Sequence, residues 1–160
     1  LCVLDTYSHK LVHFERFNEI SWTLQKGRIV ALARRYNHAK VVIDGTGVGD
    51  PIAEDLSREM VLVDNFKLSN PSKEKLIEKL SMFIEQKAIL IPDEEILLDE
   101  VEAFSFEMTD SQNIRYAAPQ GFHDDAVIAL ALAVWGLQDP KLNNPDQMKK
   151  PRAHVKYQYL

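Results

Sequence analysis

The stretch His123-Asp124-Asp125, followed at once by Ala126-Val-Ile-Ala-Leu-Ala-Leu-Ala-Val-Trp135, decides how this sequence is interpreted. The apolar run predicts a buried helix, and the two aspartates stand at its first turn. One aspartate there suits the N-cap position and the positive end of the helix dipole. Two adjacent carboxylates repel each other unless a cation lies between them, so the pair raises the possibility of a divalent metal site.

A second carboxylate signal lies upstream. The short apolar segment Lys40-Val-Val-Ile43 predicts a buried strand, which ends in Asp44 and is followed by the glycine-rich loop Gly45–Gly49. In open α/β sheets, ligands bind at the carboxyl ends of the strands. If the last helix packs on this sheet, we expect Asp44, Asp124 and Asp125 to converge and to hold two hard divalent cations, Mg²⁺ or Mn²⁺.

Each of these signals alone has a plainer explanation. Asp44 before Gly45 is compatible with a simple turn at the end of a strand, and a lone Asp124 is more often a helix cap than a ligand. The loop that follows Asp44 lacks the Gly-Lys-Ser/Thr ending of a P-loop and the G-x-G-x-x-G spacing of a dinucleotide loop. His123 is compatible with an ordinary loop residue, and we do not count it as a ligand.

The composition is that of an ordinary globular domain. The chain has 160 residues, of which 46% are hydrophobic and 27% are charged, so one domain with its own core is expected. The net charge of -5 argues against a generally basic nucleic-acid coat, but a nuclease concentrates acids at its metal site. The single cysteine, Cys2, favours a reducing compartment, and no apolar run has the length of a membrane span.

The order of predicted elements is that of an α/β fold. We predict a mixed central sheet with helices on both faces and an auxiliary β-hairpin. Residues 1–138 are expected to form this domain, and residues 139–160 a polar, proline-containing tail. The predicted elements are a hairpin within 1–17, a helix at 22–37, a strand at 40–43, a helix at 51–59, a strand at 60–63, a long helix at 73–87, a strand at 88–91, a helix at 94–102, a second hairpin at 103–117 and the final helix at 126–137.

Four segments, in this order and spacing, closely resemble the C-terminal nuclease domain of tailed-phage large terminase subunits. They are Val41–Gly49, Ser72–Glu78, Ile89–Pro92 and Gly121–Ala126. The resemblance implies a ribonuclease H-like fold, related to Holliday-junction resolvases, and an endonuclease that cuts concatemeric phage DNA with two divalent metal ions. It also implies double-stranded DNA, an ATPase motor domain in the same polypeptide, the portal protein and the small terminase subunit as partners, with no membrane involved. The implied location is the host cytoplasm, at the procapsid portal.

The resemblance also assigns roles to individual residues. Asp44 matches the second catalytic acid of the family, Asp125 matches the last one, and Asp124 matches a neighbouring acid that assists metal binding. The first catalytic aspartate of the family lies on a strand that we expect immediately before Leu1, so the sequence is expected to be part of a longer protein.

The second hairpin matches a family element that lies near the DNA groove. We therefore predict that Lys73, Arg115 and Lys67 contact phosphates, although each is equally compatible with a solvated surface side chain. Two other functions remain open at this point. One is another ribonuclease H-like nuclease, such as a junction resolvase or a transposase-like enzyme. The other is a non-catalytic docking module of the packaging machine.

Overall fold

The structure, a computed structural model, describes residues 1–47, 49–108, 114–117 and 124–137. In those residues, no helix combines the length and the apolar character needed to cross a membrane. The elements in chain order are β1 (Cys2–Leu4), β2 (Leu11–Phe14), α1 (Trp22–Arg35), β3 (Val41–Asp44), α2 (Gly49–Arg58), β4 (Val63–Phe66), α3 (Asn70–Glu85), α4 (Glu95–Ala103), β5 (Ser105–Met108), β6 (Ile114–Ala117) and α5 (Asp125–Gly136).

Helices cover both faces of the β3–β4 pair. The two strands are parallel, and Val41 lies opposite Val63. Because side chains alternate along a strand, Val42 and Phe66 join the apolar cluster built around α5. Val41, Ile43 and Val63 join a second cluster, which α1 and α2 supply. This arrangement agrees with the predicted sheet between two helical layers.

The central helix of the larger cluster is α5, which packs against α3, α4, β1 and β3. Leu130 and Val134 are fully buried. A Cβ atom added to Gly136 would come within 3.2 Å of Val42 Cγ2, so the helix approaches β3 very closely. The Trp135 ring meets the Phe66 ring edge-on at 5.0 Å between centroids. The α5 helix therefore touches both the β1–β2 hairpin and the β3–β4 pair.

The sheet is divided into three two-stranded parts in the described residues. β1–β2 and β5–β6 are antiparallel, and β3–β4 is parallel. The strand predicted at 88–91 forms only an isolated parallel bridge between Lys10 and Leu90. There the N–H of Leu11 donates to the Leu90 carbonyl at 2.9 Å, and the N–H of Leu90 donates to the His9 carbonyl at 3.1 Å. The predicted fold class and the auxiliary hairpin β5–β6 are present, with this strand reduced to a bridge.

Several element boundaries differ from prediction, and for the starts of β4 and α3 the structure gives a local reason. β4 begins at Val63 rather than at Met60, because Met60 has a left-handed φ of 61° and its N–H closes a turn onto Ser57. α3 begins three residues earlier than predicted, at Asn70. Ser69 and Ser72 form a capping box there, in which each side chain accepts the backbone N–H of the other residue.

Gly45, directly after β3, is needed for close packing. It is buried, and an added Cβ atom would lie 1.5 Å from the Asn65 side-chain oxygen of β4. Its N–H continues the ladder by donating to the Phe66 carbonyl at 2.7 Å. The glycine therefore permits the side chain of the neighbouring strand to sit against the backbone.

We expect Gly45→Ala to lower the free energy of unfolding by on the order of 1–3 kcal/mol, because the new methyl group overpacks against Asn65. The matched control is Gly27→Ala in α1, where an added Cβ atom would meet nothing within 4 Å. This control is expected to raise the free energy of unfolding by about 0.5–1 kcal/mol through helix propensity. Urea denaturation measures the free energy of unfolding of both variants, and equal stability of the two would contradict the close packing of Gly45 against Asn65.

Candidate metal centre

The carboxyl edge of the β3–β4 pair carries the first candidate ligand. Asp44 is the last residue of β3, and its side chain is exposed. Its Oδ1 atom accepts the N–H of Thr46 at 2.9 Å, which holds the turn after the strand. Strand alternation places Asp44 on the same face as Val42, which is the face that α5 covers.

The start of α3 lies at this same edge. Thr46 Oγ1 donates to the Leu68 carbonyl at 3.3 Å and accepts the N–H of Leu68 at 3.0 Å, so the loops after β3 and β4 are joined. Asn70, the first residue of α3, follows two residues later. The N-terminal turn of α3 is therefore fixed next to the strand end that carries Asp44.

An ion pair joins the first turn of α3 to the start of α5. Lys73 Nζ lies 2.9 Å from Asp124 Oδ2, and the two side chains are only 24% and 31% exposed. The Lys73 ammonium also lies 5.9 Å from the centre of the Phe104 ring. Asp124 is thus held near the edge where β3 and β4 end.

A second contact shows that α3 and α5 run in the same direction. Further along both helices, Lys79 Nζ lies 5.8 Å from the centre of the Trp135 ring. Burial lowers the pKa of the Lys79 ammonium from its ordinary value. With Lys73 and Asp124 at the helix starts, this second contact means that both N-termini lie toward the carboxyl edge of β3 and β4.

The capping of α5 was not foreseen from the sequence. Asp124 occupies the N-cap position, but its side chain makes no capping hydrogen bond. Glu100 of α4 supplies the bond instead, because its Oε2 atom accepts the N–H of Ala126 at 2.8 Å. Its Oε1 atom lies 3.0 Å from Arg16 Nη1. The sequence does contain a signal for this role of Glu100, because Glu100 is an acid that lies three residues after Leu97, on the apolar side of the predicted helix.

The candidate ligands do not form a finished cluster. Asp125 is the first residue of α5, and its side chain is exposed. In the part of the chain that the structure describes, no three His, Cys, Asp or Glu side chains are grouped so that they could hold a metal ion. The structure brings Asp124 to the start of α3 and sets Asp44 at the same edge. It does not join Asp44, Asp124 and Asp125 into a preformed cage.

The predicted phosphate contacts have different surroundings. Lys73 was expected to face DNA, but it is paired with Asp124. Lys67 is exposed in the loop between β4 and α3. Arg115 lies in β6, and its side chain is outside the described part of the structure. His123 lies outside the described residues.

Comparison with known protein sequences identifies relatives along most of the chain. The family model of the terminase RNaseH-like domain matches residues 1–135. The terminase large subunit of Thermus virus P23-45 is 38% identical over 132 residues, which cover 82% of this chain and 27% of the relative. The terminase large subunit of Thermus phage G20c is 37% identical over the same shares of both chains. The chain thus spans about a quarter of the length of these curated relatives.

Solved structures give the same result. The crystal structure of the large terminase nuclease from thermophilic phage G20c with bound magnesium matches with a TM-score of 0.78 and 36% identity, covering 84% of this chain and 71% of that one. The same nuclease with bound cobalt matches with a TM-score of 0.77 and 36% identity, covering 82% and 71%. The Thermus phage P74-26 large terminase nuclease domain has a TM-score of 0.74 and 34% identity, covering 81% and 67%.

These matches confirm the resemblance and the ribonuclease H-like fold class that the sequence predicted. The chain belongs to the terminase RNaseH-like domain family.

Proposed function

We propose that this chain is the metal-dependent DNA endonuclease domain of a phage genome-packaging terminase, and that it cuts concatemeric double-stranded DNA by phosphodiester hydrolysis. The observation that carries the proposal is the family match over residues 1–135 in a chain whose β3 ends in Asp44 and whose α5 begins at Asp124 and Asp125. The magnesium and cobalt held by the solved relatives support divalent cations as the cofactors.

We propose Asp44, Asp125 and Asp124 as catalytic residues that bind these cations, two Mg²⁺ or Mn²⁺ ions. Carboxylate oxygens are the ligands that such hard cations prefer, and the side chains of Asp44 and Asp125 are exposed. When bound, two cations would activate a water molecule for attack on the phosphate and neutralise charge on the leaving oxygen.

The chain's own residues prepare these carboxylates. The Thr46 N–H fixes Asp44 through one oxygen at the strand end. Lys73 balances the charge of Asp124, which otherwise stands beside a second carboxylate at position 125. Cation binding at Asp124 therefore competes with the Lys73 ammonium for the same carboxylate.

We propose a further strand between β1 and β3, which carries the family's first catalytic aspartate. Among the described strands, β1 pairs with β2 and β3 pairs with β4, whereas α5 packs against both β1 and β3. A strand between them would join the two pairs into one mixed sheet under α5. Its carboxylate would complete a ligand set that the described residues leave open.

The remaining partners are also part of the proposal. The curated relatives are terminase large subunits, and the ATPase motor domain in the same polypeptide, which the family resemblance implies, belongs to the proposal. The portal protein and the small terminase subunit are the proposed protein partners, and the host cytoplasm at the procapsid portal is the proposed location. Lys67, Arg115 and Lys73 remain predicted phosphate contacts, because positive charge within reach is all that such contacts need.

We expect Asp44→Ala and Asp125→Ala each to reduce Mn²⁺-dependent nicking of plasmid DNA by the full gene product by about 100-fold or more, because each removes a proposed metal ligand. The control is Glu78→Ala, which removes an exposed acid from α3 and should leave nicking unchanged. Wild-type activity in either aspartate variant would refute the ligand assignment. Preference for four-way junctions over linear duplex would point to a junction resolvase instead.

We expect Lys73→Met to tighten Mn²⁺ binding in the absence of DNA by roughly two- to fivefold, because it removes the ammonium that competes for Asp124. Lys75→Met is the matched control, since Lys75 is exposed on the same helix. Isothermal titration with Mn²⁺ measures both variants. If the two substitutions change the affinity equally, the effect belongs to the overall charge and the proposed competition is wrong.

A further inference from the structure

We infer that Glu100 is a positioning residue for the proposed metal site. It holds the first turn of α5 from a neighbouring helix and thereby leaves the Asp124 carboxylate available to cations. This inference rests on the nuclease function proposed above and adds a residue that the family resemblance did not assign.

The contact that carries the inference is buried and specific. Glu100 is 6% exposed, and its Oε2 atom accepts the N–H of Ala126 at 2.8 Å. Ala126 is the second residue of α5, immediately after Asp125. The first turn of a helix has N–H groups without intrahelical partners, and Glu100 satisfies one of them across 26 residues of sequence.

This bond replaces the one that the N-cap residue normally makes. An aspartate at the N-cap accepts an N–H from the second or third helical residue, which ties its carboxylate to the helix end. Asp124 makes no such bond and lies against Lys73 instead. With Glu100 serving Ala126, the helix start is capped without Asp124, whose carboxylate lies against Lys73 at the start of α3.

The Glu100 carboxyl group is buried beside a cationic partner. A buried carboxylate is unfavourable unless it is paired, and Arg16 lies 3.0 Å from its second oxygen. The positive end of the α5 dipole adds a further favourable interaction. Arg16 follows β2 by two residues, so one carboxylate links the end of a strand, α4 and the start of α5.

The test compares Mn²⁺ affinity in Glu100→Ala, Glu100→Gln and Glu102→Ala versions of the full gene product. Free Mn²⁺ is measured by electron paramagnetic resonance, independently of activity. Loss of a group that orients metal ligands weakens metal binding by roughly 10–100-fold, and we expect Glu100→Ala to fall in this range. Glu100→Gln retains an oxygen that accepts from Ala126 and should recover most of the affinity. Glu102 is exposed on the same helix, and its variant should bind as the wild type does.

Thermal unfolding distinguishes a positioning role from a loss of folding. If Glu100→Ala does not fold, Glu100→Asp replaces it, because the shorter side chain keeps a carboxylate beside Arg16 but draws it back from the N–H of Ala126. That variant should weaken Mn²⁺ binding several-fold, less than is expected for Glu100→Ala. Wild-type affinity in the folded Glu100→Ala protein, or in Glu100→Asp if that is used, would overturn the inference alone. A wild-type protein that neither binds Mn²⁺ nor cuts DNA would overturn the proposed function and this inference with it.

Discussion

The burial of α5 is the constraint on which the rest of the structure depends. Its buried side chains lie around most of its circumference, as is typical of a helix surrounded by other elements. These side chains are removed from water because α5 lies between α3, α4, β1 and β3. Gly136 near its end approaches Val42 of β3 closely, and its N-terminus runs alongside that of α3, so Asp124 is held against Lys73 at the start of α3.

Electrostatic contacts then fix the position of this helix start more finely than apolar packing can. Lys73 pairs with Asp124, and Glu100 accepts from Ala126. The first contact neutralises a carboxylate, whereas the second satisfies an N–H group of the helix. Together these contacts explain why two adjacent acids are tolerated at the start of an apolar helix. Asp124 faces the Lys73 ammonium, and Glu100 rather than Asp124 or Asp125 accepts the N–H group of the helix start.

Local patterns in the sequence predicted the parts of the fold that local physics determines. The apolar runs before Asp44 and after Asp125 identified β3 and α5 almost to the residue. The isolated bridge at Leu90 depends on a strand partner, and the late start of β4 depends on a turn at Met60. Hydrophobic periodicity reports neither of these. The apolar character of β3 and the order of elements were enough for the α/β class, whereas the ribonuclease H-like fold was implied by the family resemblance.

The site was predictable as a set of acids but not as a network. Lys73 and Asp124 are 51 residues apart in sequence, and Glu100 and Ala126 are 26 apart. No spacing rule joins such residues, because only the packing of α3 and α4 against α5 brings them together. The sequence therefore predicted Lys73 as a phosphate contact and left Glu100 without a role.

Paramagnetic broadening during a Mn²⁺ titration of the full gene product tests most directly whether the end of β3 and the start of α5 share bound cations. The account predicts that amide signals of Asp44, Gly45 and Asp125 broaden together at the same Mn²⁺ concentration. Signals around Gly27, in the helix on the other face of the β3–β4 pair, should stay sharp until much higher concentrations. Broadening confined to one of the two elements, or broadening at Gly27 to the same extent, would contradict a shared metal centre.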